Sequence, residues 1–128
     1  MAILPCGPSV LDLRGLVEVV TVIRKIRDMR NDLPLPVILP NKMQPQRRLS
    51  RDLMEAARKF EMPAGDGLKF HEAYAEAANQ GTVVWRMKSQ GARAATAEMQ
   101  YFFQQLLSYE SNPTTPHHER RVAARSAS

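Results

Sequence analysis

Between positions 11 and 30, apolar residues recur every three or four positions: Leu13, Leu16, Val17, Val20, Ile23 and Ile26. That spacing predicts an amphipathic helix over 11–30 with these six side chains turned inward. Ser9 or Asp12 can cap its start, because a short oxygen-bearing side chain accepts from orphan amide donors. Arg24, Lys25, Arg27 and Arg30 gather toward its end, where the helix dipole favours cations. Ahead of it, 3–5 is a short apolar strand end, and Gly7, Pro8 and Ser9 form a turn. Beyond a connector over 31–36, the continuous run Val37, Ile38, Leu39 predicts a strand covered on both faces.

A loop through Gln44, Pro45, Gln46, Arg47 and Arg48 then leads to a second helix over 50–60. Ser50 is its expected cap, and Leu53, Met54, Ala57 and Phe60 form its apolar stripe. Pro63, Gly65 and Gly67 weaken any strand over 62–68. A short helix follows over 71–80, closed by Gly81. Thr82, Val83, Val84 and Trp85 read as extended. The last helix is predicted over 91–109, with Ala95, Met99, Phe102, Phe103, Leu106 and Leu107 inward. Pro, Thr, His, Arg and Ser dominate beyond it, so residues 110–128 are expected to be a disordered basic tail. Alternating strands and helices point to the α/β class with a mostly parallel sheet and flanking helices. A sheet this thin, with a first strand at residue 3, reads as part of a larger one.

Composition adds limits rather than chemistry. The chain has 128 residues, 44% hydrophobic and 24% charged, enough for one packed domain. Its single cysteine, Cys6, cannot bridge internally and reads as a buried, inert thiol in a reducing, cytosolic setting. The opening residues do not form a signal peptide, and no run reaches the roughly 20 apolar residues of a spanning helix. Lysine and arginine exceed the acids by 18 to 13, which permits nucleic-acid contact and equally suits solvated helix faces. Met29, Met43, Met54, Met62, Met87 and Met99 are expected as core or edge filler. Trp85 is expected as a core or interface anchor, and His71 as a surface or helix-cap histidine. His117 and His118 lack convergent metal-binding partners.

Several blocks, taken together and in order, resemble the ParA family of partition ATPases. Leu4-Pro5-Cys6-Gly7-Pro8-Ser9-Val10-Leu11-Asp12 is similar to that family's strand–PSxxD–helix passage. Val37 to Lys42, with Arg47-Arg48-Leu49-Ser50, is similar to the next strand and its basic loop. Tyr74 to Trp85 and then Gly91-Ala92-Arg93-Ala94 are similar to the two blocks that follow. The resemblance spans residues 3–109 and implies the carboxy-terminal half of a P-loop NTPase-like three-layer α/β domain, with the amino-terminal half missing. The family's Gly-rich phosphate loop with its two lysines does not occur in this sequence. The parent family hydrolyses ATP with Mg²⁺; this chain alone is expected to be inactive and to need no cofactor.

On that resemblance, the chain serves plasmid or chromosome segregation in the cytoplasm, associated with the nucleoid and not with membrane. It would bind non-specific DNA, meet a centromere-binding ParB-like protein and form a homodimer in the intact protein. Asn41 and Lys42 would border the adenine, with Leu68 and Phe70 on the other wall. Asn41 and Lys42 equally suit a polar pair closing a strand. Arg47, Arg48 and Arg51, extended by Lys69, Arg86, Lys88 and Arg93, would neutralise DNA phosphates; a solvated basic face is the alternative. His71 and Ala73 stand where some family members carry basic residues. The competing readings are a freestanding DNA-binding or regulatory module, and a gene remnant whose open sheet edge promotes aggregation. An unrelated enzyme would need a catalytic constellation, and none is evident.

Overall fold

The computed structural model describes residues 1–111. Its elements are β1 (Ala2–Cys6), α1 (Val10–Met29), β2 (Pro36–Pro40), α2 (Arg48–Lys59), α3 (Glu72–Asn79), one 3-10 turn (Val84–Arg86) and α4 (Gln90–Ser111). The expected tail lies outside the described residues from 112 onward.

Ser9 starts α1 as predicted, its hydroxyl accepting the Asp12 amide at 3.0 Å. The helix carries the chain back so that β2 lies parallel to β1, in register from Ala2 opposite Pro36 to Cys6 opposite Pro40. All five residues of β2 are buried, as an unbroken apolar run requires when helices cover both faces. Leu4, Cys6 and Ile38 pack with Leu16 and Val20 of α1 and with Leu53 and Ala57 of α2. Val37 and Leu39, on the opposite face, pack with Phe102 and Leu106 of α4. The result is a small parallel sheet between two helical layers, a mixed α/β architecture.

The sheet has two strands, fewer than a P-loop-like domain needs. A third segment, 63–70, runs parallel beside β2 without becoming a strand. Ile38 donates to Pro63 O at 2.8 Å and accepts from Gly65 at 2.9 Å. The pairing then slips at Gly67, whose φ is 95°, and resumes where Leu68 donates to Pro40 O at 2.8 Å. The glycines that weakened the strand in the sequence break its ladder.

Several expectations are corrected. Ser50 does not cap α2; it lies buried inside the helix and accepts the Gln44 amide at 3.0 Å, while Arg47 is the capping residue without a side-chain bond. Thr82 to Trp85 is not a strand. Val84 opens a 3-10 turn, buried against Ala92 and Ala95 of α4, because it has a helix rather than a sheet edge to pack on. Val17, Phe103 and Leu107 are exposed rather than inward, and Met29 and Trp85 are exposed, outside the core. Gly81 closes α3 with φ 62°, the left-handed geometry predicted for it.

Cys6 is buried, and its thiol pKa is raised above the ordinary 9.0, first by burial and then by Asp12. In the native protein it is expected to react with a disulfide reagent at pH 8 roughly a hundredfold more slowly than in the unfolded chain. Equal rates would refute its burial. Because the unfolded thiol ionises first, the folded state holds more protons above pH 9.0, and stability falls as pH rises through that region. Cys6→Ala should flatten that decline in urea melts.

Candidate functional site

β2 ends at Pro40, and the chain turns through Asn41 and Lys42. Asn41 Oδ1 accepts the Lys42 amide at 2.9 Å, which holds Lys42 in the left-handed region at φ 55°. That bond leaves the Asn41 amide NH₂ to donate outward. Met43 donates to Leu68 O at 3.0 Å and accepts from Phe70 at 2.9 Å. Two loops far apart in sequence are thereby tied together beyond the carboxyl ends of parallel strands. Open α/β sheets receive ligands in that position.

Two cavities open there. The smaller, about 320 Å³, is lined by Asn41, Lys42, Leu68, Phe70, Tyr74 and Met99, among others. All four residues expected on the adenine side therefore share one cavity. The larger, about 970 Å³, is walled by Arg51 and Arg58 of α2, by Asp66 and Lys69, and by Glu98 and Tyr101 of α4. Lys69 and His71 line both.

Glu98 organises the partition between them. Its Oε1 accepts the Lys69 amide at 2.5 Å, and its Oε2 lies 2.7 Å from His71 Nε2. Both side chains are largely buried, so the contact is an ion pair whenever the imidazole is protonated. His71 also meets the Tyr74 ring edge-on at 5.7 Å between centroids. It is the capping residue of α3, and its partner is Glu98 rather than its sequence neighbour Glu72. Burial, then the Glu98 charge, raises the Tyr74 hydroxyl pKa. Asp66 accepts from Tyr101 Oη at 3.1 Å and from Gln105 Nε2 at 3.0 Å. The hydrogen bond to Asp66, then its charge, raises the Tyr101 pKa. Sequence reasoning missed Glu98, Tyr101 and Arg58. The available signal was Glu98 itself, the sole acid between Gln90 and Tyr109.

The predicted basic residues fall into two groups. Arg47, Arg48 and Arg51 surround the start of α2, all exposed. Arg48 faces Asp52 at 3.7 Å, and Arg51 donates to Gln46 O at 3.2 Å, so their charge is partly engaged. Arg86, Lys88 and Arg93 are exposed in and after the 3-10 turn, with Trp85 60% exposed beside them. Lys69 lies on the walls of both cavities. Among the described residues no cluster of His, Cys, Asp or Glu is arranged to hold a metal ion, and no helix is long and apolar enough to cross a membrane. No protein-family model matches the chain, and neither a curated protein nor a solved structure is similar to it.

Proposed function

We propose that the chain serves DNA partitioning as the carboxy-terminal part of a ParA-like ATPase of the P-loop class, contributing the base side of a nucleotide site and a basic surface for non-specific DNA. The observation that carries this reading is the convergence of Asn41, Lys42, Leu68 and Phe70 on one cavity beyond the sheet's carboxyl ends. Its apolar walls suit a base, and the free Asn41 NH₂ suits a ring nitrogen acceptor. Phosphate and Mg²⁺ would be held by residues this chain does not contain, so ATP turnover belongs to the intact protein, as do its homodimer and its ParB-like partner. Nucleoid association follows from the DNA contact.

The freestanding DNA-binding reading has one observation of its own. Trp85 is exposed and close in sequence to exposed Arg86, Lys88 and Arg93, the combination of aromatic and basic residues that suits base stacking.

Fluorescence anisotropy on labelled mixed-sequence duplex tests the DNA surface. Binding is expected at about 50 mM salt and should weaken steeply with added salt. Replacing Arg47, Arg48 and Arg51 by alanine should flatten the log–log slope by about 0.9 per lost phosphate contact. A flat salt response, or no binding, would refute the surface. Adenosine saturation-transfer NMR tests the cavity separately, with Phe70→Ala expected to abolish the signal. The one tryptophan distinguishes the second reading, since single strands that stack on it should quench its emission.

A further inference from the structure

The two edges of the sheet are treated differently. Along the 63–70 segment, α4 occupies the outward backbone groups with its own side chains. Tyr109 Oη donates to Ala64 O at 3.1 Å, Gln105 Oε1 accepts from Asp66 at 3.4 Å, and Glu98 takes the Lys69 amide. That edge is closed to another strand. Along β1, no described residue does the same. Ala2 donates to Leu35 O and Cys6 accepts from Asn41, so these residues face β2. By alternation, the N–H and C=O of Ile3 and the C=O of Pro5 point outward.

Both helical layers leave apolar residues over this open edge. α1 lies over β1, and its Arg24 donates to Phe60 O at the end of α2, which fixes the flank facing α2. The opposite flank, overhanging the edge, carries Leu11, Val19, Val22 and Met29, with Val22 54% exposed. On the other face Ile3 is exposed, and Phe103 and Leu107 occupy the flank of α4 turned away from the 63–70 segment.

We propose that β1 pairs antiparallel with β1 of a second copy of this chain, around a two-fold axis at Ile3, to make one continuous sheet. Pro5 selects this arrangement. It lacks an N–H. A parallel strand would leave a carbonyl unpaired within the ladder, opposite Pro5. The two-fold antiparallel pairing gives Ile3 both bonds with its counterpart and moves the missing donor to the last rung, opposite Met1. Charge is complementary under the same axis. α1 runs back over β1, so its turn at Val20–Ile23 lies above the strand's amino-terminal half, with Val22 nearest the axis. Two antiparallel copies of α1 centred there set Glu18 of each against Lys25 of the other, and both residues are exposed. The pairing goes beyond the proposed function. It competes with any strand that a longer polypeptide would lay on the same edge.

Analytical ultracentrifugation of the 128-residue chain should give twice the 14.4 kDa monomer mass at micromolar concentration. Ile3→Pro, which removes the one outward donor, should leave a folded monomer by circular dichroism. Glu18→Lys and Lys25→Glu should each weaken the dimer by roughly five- to tenfold, and the double exchange should restore it. Val22→Cys, on the axis, should cross-link to itself under mild oxidation while buried Cys6 does not. A monomer at all concentrations, a dimer that survives Ile3→Pro while that variant remains folded, or a Val22→Cys dimer that fails to cross-link would each overturn the proposal.

Discussion

Ile38→Ala is expected to lower the free energy of unfolding by about 3–5 kcal/mol. Ile38 is fully buried in the middle of β2 and packs with side chains from β1, α1 and α2. Its backbone also bonds to the 63–70 segment on the far side, at Pro63 and Gly65. No neighbour can collapse into the space without moving the strand, so the cavity term adds to the lost transfer energy. A domain of this size has only about 5–15 kcal/mol in total. The variant should therefore melt far below the parent in urea, with its midpoint shifted and its slope retained. A loss under about 1 kcal/mol would mean that β2 is not the centre of the core.

Gly67→Ala is expected to cost about 2–3 kcal/mol and to displace the loop that lines both cavities. Gly67 has φ 95°, where an L side chain is strained. A Cβ there would stand 3.1 Å from both the Pro40 carbonyl oxygen and Pro40 Cβ, and 3.2 Å from Met43 Cγ. Two of those three atoms belong to a rigid ring or a backbone that is itself hydrogen-bonded to Leu68, so relief must come from moving the loop. That loop carries Leu68, Lys69 and Phe70 into the cavities. Gly91→Ala is the matched control, since nothing lies within 4 Å of its added Cβ and its φ is not positive. It should change stability by less than about 1 kcal/mol, toward greater stability. Equal melts for the two variants would contradict the placement of Gly67.

The features legible in the sequence were those that local rules control. Ser9 caps α1 because its hydroxyl reaches an amide three residues on, and Gly81 closes α3 because only a residue without Cβ enters φ 62° freely. Val37 to Leu39 is buried because an unbroken apolar run suits only a strand covered on both faces. Only a family resemblance grouped Asn41, Lys42, Leu68 and Phe70 in the sequence, and their meeting in one cavity is a fact of the fold.

Apolar periodicity does not by itself decide burial. Phe103 and Leu107 belong to the apolar stripe of α4, yet that stripe is wider than the two strands beneath it, and among the described residues nothing covers the flank toward β1. Val17 is exposed on a different flank, two helical turns from Arg24 on the side of α1 that faces α2. Thr82 to Trp85 has the composition of a strand, but its neighbour is the start of α4, and the backbone coils to bring Val84 onto Ala92 and Ala95. Trp85 then points outward.

The sequence by itself determined the four helices and their order, two candidates for the cap of the first helix, and the strand that the core is built around. Each depends on residues within a few positions of one another. Only the tertiary structure decided which apolar residues stay exposed, that Glu98 would meet His71 and Lys69 across 27 and 29 residues, and that among the described residues α4 seals one sheet edge and none seals the other. Those outcomes depend on how helices are laid across the sheet, and contacts between distant segments leave no period in the chain that makes them.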